Sequence, residues 1–191
     1  MKGLTKVVTV LAKVLEVFAW VGSALIAASL IAIAAGRAEL LPLFSNIRTE
    51  ADLTLGGFSI DVSTLSQAQI TRAYVVFFIT LLIVFLLMAM VFRNIYLIFK
   101  TAEGKTKFSR GATPFQPDIV RMIREIGIFC LAVPVLEIIM SIIARLVIGF
   151  EGSEIAVTID VTAVFFGLVV LCLSQFFAYG AMLQKETEGL V

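Results

Sequence analysis

Four apolar stretches, near residues 14–36, 73–92, 126–148 and 161–183, take up nearly half of the chain. Each is about 20 residues or longer, the length a helix rising ~1.5 Å per residue needs to cross a ~30 Å hydrocarbon core. A segment inside lipid must satisfy its own backbone hydrogen bonds, so such stretches become helices. With 60% hydrophobic and only 15% charged residues, and a mean hydropathy of +1.06, the chain lies outside the range of soluble domains. The expected fold is an all-α membrane protein, a four-transmembrane-helix bundle forming a single integral membrane domain over 1–191.

The basic residues between the stretches alternate in abundance. With the N-terminus placed in the cytosol, Lys2, Lys6, Lys13, Arg93, Lys100, Lys105, Lys107, Arg110, Arg121, Arg124 and Lys185 fall inside, eleven of the fifteen. Arg37, Arg48, Arg72 and Arg145 fall outside, together with most of the acidic loop residues. The positive-inside rule therefore predicts both termini in the cytosol. The opening run, with Lys2 and Lys6 before it, mimics a secretory signal, but it exceeds the usual ~7–15-residue apolar region and reads as the first span.

Composition also excludes chemistry. Histidine is absent, which removes Ser-His and Cys-His catalysis, histidine zinc sites and haem ligation by His. No phosphate loop, G-x-S-x-G or metal-spaced carboxylate pair is present, so no enzyme and no cofactor is expected. Cys130 and Cys172 sit at different depths of predicted spans and read as buried, unpaired apolar side chains. A net charge of +1 gives no bulk attraction for nucleic acid.

The outer loops read as a folded cap. Leu53-Thr54-Leu55, Gly56-Gly57, then Phe58-Ser59-Ile60-Asp61-Val62 has the pattern of a β-hairpin with a two-residue primed turn. That register sets Leu55 opposite Phe58 and Leu53 opposite Ile60, with all four side chains on one face. Ile155, Val157 and Ile159 give a matching strand in the second outer loop. A lone hairpin is marginal in water, so one three-stranded antiparallel sheet, apolar face down, is the expected solution. Ser59-Ile60-Asp61-Val62-Ser63 and Thr158-Ile159-Asp160-Val161-Thr162 echo each other before spans two and four. The echo reflects either shared helix-cap chemistry or a parallel duplication.

The inner loop, 93–125, is polar and basic, with Gly104, Gly111, Pro114 and Pro117. A helix is expected to start near Pro117, with Ile119, Ile123 and Ile126 on one side and Arg121 and Arg124 on others. On span one Ala24, Ala28, Ala32 and Gly36 repeat every four residues, a small-residue ridge against which the bulky span two can pack.

Charge inside the spans is the first place to look for function, because an ionisable side chain in hydrocarbon costs a few kcal/mol. Glu137 lies near the middle of span three, one turn after Pro134. It reads either as an ion, proton or ligand site, or as a carboxyl fixing helix register through protonation or a bond to Gln175. Arg145, about 12 Å further along the helix, is expected to snorkel outward or to pair with Glu151, Glu154 or Asp160. Glu16 should pair with Lys13 near the inner boundary. The candidate inner basic face is Lys100, Lys105, Lys107, Arg110, Arg121 and Arg124, suited to anionic lipid or an acidic partner.

Three further stretches carry a family resemblance: Ile98-Phe99-Lys100, with Gly104-Lys105 and Lys107-Phe108-Ser109 after it; Ile119 to Gly127; and the closing Gln175 to Glu186. Together they resemble the bacterial four-helix membrane family known as domain of unknown function 2975, from which the chain departs by a longer linker at 110–116. The resemblance implies a bacterial cytoplasmic-membrane protein of unassigned activity, with a regulator-tethering role. It supplies no catalytic residue. The expected function is a non-enzymatic interaction or signalling protein, partnered by the bilayer and by a cytosolic regulator, a membrane protein or its own copies. The alternative is a small transporter or channel component built on Glu137.

Overall fold

A computed structural model describes residues 2–35, 53–63, 65–109, 113–149 and 155–188. The elements run α1 (Lys2–Ala34), β1 (Leu53–Leu55), β2 (Phe58–Ile60), α2 (Gln67–Ala102), α3 (Pro117–Ile148), β3 (Ile155–Val157) and α4 (Val161–Glu188). All four helices contain a segment long and apolar enough to cross a membrane, the layout of a multi-pass membrane protein. Each helix outruns its apolar stretch, because the flanking Lys, Arg, Gln and Asn residues extend a helix at little cost. Stops come where glycine permits them. α2 closes in a Schellman motif, Gly104 at φ 76°, with Lys105 N–H on the Lys100 carbonyl and Gly104 N–H on that of Thr101. Gly149, at φ 106°, follows the end of α3.

The helices and strands group into two compact units: 20–86 with 133–160, and 1–19 with 87–132 and 161–191. The first contains the sheet. Its strands are antiparallel in the order β1-β2-β3, with Leu53 opposite Ile60, Leu55 opposite Phe58, and Phe58 opposite Val157. Phe58 and Ile60 are fully buried and Ile155 nearly so, against Ala73 and Val76 of α2 and Met140, Ala144 and Ile148 of α3. Burying side chains of that size contributes about 1.5–3 kcal/mol each. The third strand is shorter than its sequence pattern. β3 stops at Val157 because β2 begins at Phe58, leaving Thr158 beside the turn and Ile159 60% exposed.

Three side-chain packing expectations change in the structure. On α1 the buried residues among the described side chains are Ala12, Glu16, Ala19 and Ser23, a 4-3-4 spacing, whereas Ala24 and Ala28 are exposed, Ala32 is half-buried and Gly36 lies outside the described residues. The close approach to α2 falls instead at Gly22, where a Cβ would stand 2.5 Å from the Phe85 ring. Cys172 is exposed and Cys130 half-buried, both as free thiols.

In the second unit α3 and α4 meet at a reciprocal pair of glycines. A Cβ on Gly127 would meet Leu171 at 2.8 Å, and one on Gly167 would meet Leu131 at 2.7 Å. Each glycine also lies close to the other's carbonyl oxygen. Only hydrogen at these positions lets the backbones approach so nearly, the small-residue logic of membrane helix packing. Ile119, Ile123 and Ile126 are buried along α3 as their spacing predicts, and Arg121 and Arg124 are exposed.

Candidate functional site

In the sheet unit the sequence-predicted Glu137 is 3% exposed and its partner is backbone. One carboxylate oxygen accepts the Gly57 N–H at 3.1 Å, and the other lies against Gly56, in the space a side chain there would take. Gly56 has φ 55° and Gly57 does not share the left-handed region, so the primed turn is the II′ type. On its other side Gly57 offers its carbonyl to the Thr158 N–H at 2.7 Å and to the Thr158 hydroxyl at 3.4 Å. The hairpin turn is thus held between a helix carboxylate and the end of β3. Its two glycines serve different needs: Gly56 a positive φ, Gly57 clearance from Thr158.

Arg145 donates from Nη2 to the Ile155 carbonyl at 2.9 Å, tying α3 to β3 through backbone. Of its expected partners Glu151, Glu154 and Asp160, the first two lie outside the described residues. Gln175 belongs to α4 in the other unit and is exposed. A further anchor went unread in the sequence. Gln69 Oε1 accepts from both the Ser66 N–H and hydroxyl, 3.0 and 2.7 Å, the glutamine half of a capping box at the start of α2. Its amide nitrogen donates to the Ile148 carbonyl at 3.2 Å, and Arg72 reaches the Val147 carbonyl at 3.3 Å. Two orphan carbonyls ending α3 are thereby satisfied. The Ser66-x-x-Gln69 spacing was the available signal for the cap; the long-range half had none. The Asp61 echo also resolves. Asp61 accepts the Ser63 N–H in a local turn, and its hydrogen bonds from Ser63 hold its carboxyl below the ordinary value, but α2 begins only at Gln67. Asp160 directly precedes α4.

The basic face belongs to the second unit, and its residues divide. Lys105 pairs with Glu103 at 2.8 Å, and that bond holds the Glu103 carboxyl below its usual range. Lys100 and Lys13 lie 5.9 and 5.1 Å from the Tyr96 ring centre, within cation–π range. Lys13 also pairs with Glu16 as expected, although Glu16 is largely buried. Arg121 pairs with Glu125, which in turn accepts from Asn94 at 3.0 Å, a link absent from the sequence reading. Lys107 and Arg124 are exposed, and Arg110 lies outside the described residues.

Arg121 and Arg124 line one side of a groove of about 660 Å³ whose opposite wall is the end of α4. Lys185 adds a third cation, and Phe115, Val120 and Met182 give it an apolar floor. The walls are fixed from behind. Phe115 sits on Gly180, where a Cβ would meet the ring at 2.6 Å, with the Phe177 ring 5.8 Å away. Thr113 donates to Gln184 at 2.9 Å, and the buried Gln116 donates to the Thr113 carbonyl at 2.7 Å.

Comparison of the chain with family models, with curated proteins and with solved structures returned no match.

Proposed function

We propose that this multi-pass membrane protein works by non-covalent interaction, as a signalling or regulatory component rather than as an enzyme or a carrier. The observation that carries the reading is the Glu137–Gly57 hydrogen bond. A carrier would present its intramembrane carboxylate to the transported ion; this one holds a hairpin turn. Among the described residues every buried side-chain nitrogen or oxygen has a partner. The charge bias supports cytosolic termini and an external sheet. In that orientation the sheet is the surface offered outside, and Arg121 and Arg124 lie on the cytosolic side. The resemblance to domain of unknown function 2975 supports the bacterial cytoplasmic membrane as the location and a cytosolic regulator as partner.

A transporter built on Glu137 keeps one observation in its favour, the burial of an ionisable group within a span. Glu137→Gln separates the two readings, because the Gln carbonyl oxygen still accepts the Gly57 N–H while the charge is gone. In proteoliposomes the variant should match the wild type in proton and cation flux and keep its thermal stability. Flux that is present in the wild type and lost in a stable Glu137→Gln protein would overturn the interaction reading.

A further inference from the structure

We infer that the groove between the start of α3 and the end of α4 holds the head group of an anionic phospholipid. Its chemistry is divided as such a ligand requires. Arg121, Arg124 and Lys185 supply three cations, and among the described residues no acidic side chain lines it. Glu125 engages Arg121, whereas Arg124 and Lys185 have no carboxylate partner among the described residues. Arginine forks and a lysine ammonium suit phosphate oxygens. The apolar floor continues out of the groove along α4 as Met182, Tyr179 and Phe176, spaced three residues apart and each more than 60% exposed. That stripe gives acyl chains a track beginning at the cationic end.

A soluble phosphate would use the cations and leave the apolar stripe uncovered; an acidic peptide would likewise lack a partner for it. Both helices bearing the groove are long and apolar enough to cross a bilayer, so lipid head groups are the ligands at hand. The inference rests on that membrane reading alone and stands whether the protein signals or transports. The groove is also preformed, since Phe115 is seated on Gly180 and Thr113 is bonded to Gln184. Little ordering cost then falls on binding.

The test is native mass spectrometry of the full chain, released from an equimolar mixture of phosphatidylglycerol and phosphatidylcholine. One phosphatidylglycerol should remain bound in clear preference. Arg124→Gln with Lys185→Gln should lower that preference by about thirtyfold, the attraction of two cations near a surface. Lys105→Gln with Lys107→Gln removes the same charge outside the groove and should leave the preference intact. Met182→Glu, which sets an acid in the groove, should act like the first pair. Melting temperatures verify that each variant is folded. Equal loss in the Lys105/Lys107 control would overturn the inference in favour of diffuse charge, and no preference in the wild type would overturn it outright. Displacement of the lipid by glycerol phosphate would assign a plain phosphate site instead. Displacement by a soluble polyglutamate peptide would assign a protein-docking surface.

Discussion

Alanine at Gly57 should damage the protein more than alanine at Gly56, although both glycines belong to one turn. At Gly56 the penalty is conformational: an L-residue in the left-handed region costs about 1–2 kcal/mol. The atoms nearest its new methyl are those of the Glu137 carboxylate, the far end of a side chain rather than backbone. At Gly57 the methyl would fall on the Thr158 carbonyl oxygen, which is backbone. Relieving that overlap means moving β3 from the turn and giving up the 2.7 Å Thr158–Gly57 bond, worth about 0.5–1.5 kcal/mol. Shifting packed backbone to make room for the methyl costs about 1–3 kcal/mol more, whereas the Gly57–Glu137 bond is disturbed by either methyl and does not separate the two variants. The sum specific to Gly57 is about 1.5–4.5 kcal/mol. Hydrogen exchange of the 53–60 and 155–158 amides in nanodiscs reads this directly, because a 2 kcal/mol loss of local stability speeds exchange about thirtyfold. Gly56→Ala that equals or exceeds Gly57→Ala would refute the assignment of separate roles.

Elsewhere, Gly167→Ala should destabilise the protein by about 1–3 kcal/mol through overpacking on Leu131, measured by thermal unfolding in detergent. Adding Leu131→Ala should recover part of that loss, a non-additivity that separate, distant effects would not produce. Gln69→Ala should cost about 1–2 kcal/mol by uncapping α2 and leaving the Ile148 carbonyl unpaired. Gln69→Glu should fall between that variant and the wild type in the same assay, because it keeps the acceptor for Ser66 and loses the donor to Ile148.

Much of the fold was legible because local rules govern it. The apolar lengths located four helices, and the Gly-Gly turn between alternating apolar residues set the Leu53–Ile60 and Leu55–Phe58 register. Pro117 and the isoleucine spacing located the start of α3 and its buried side. The misreadings share one origin: each depended on which neighbour a helix or strand meets. The alanine ridge of span one obeyed the small-residue rule, yet the contact with Phe85 formed at Gly22, and the Gly127–Gly167 crossing carried no mark in either stretch alone. Ile159 alternated correctly, but β2 had already ended opposite it.

The sequence by itself determined that the chain forms four long apolar helices and a small antiparallel sheet, since length, hydropathy and turn chemistry act within a few residues of each other. It also singled out Glu137, because a carboxylate in an apolar span is conspicuous without coordinates. Only the tertiary structure decided what that carboxylate does. Its partner, the Gly57 N–H, lies 80 residues away and belongs to the backbone. Every residue but proline carries such a donor, so nothing in the side-chain pattern marks the one that folding places beneath Glu137.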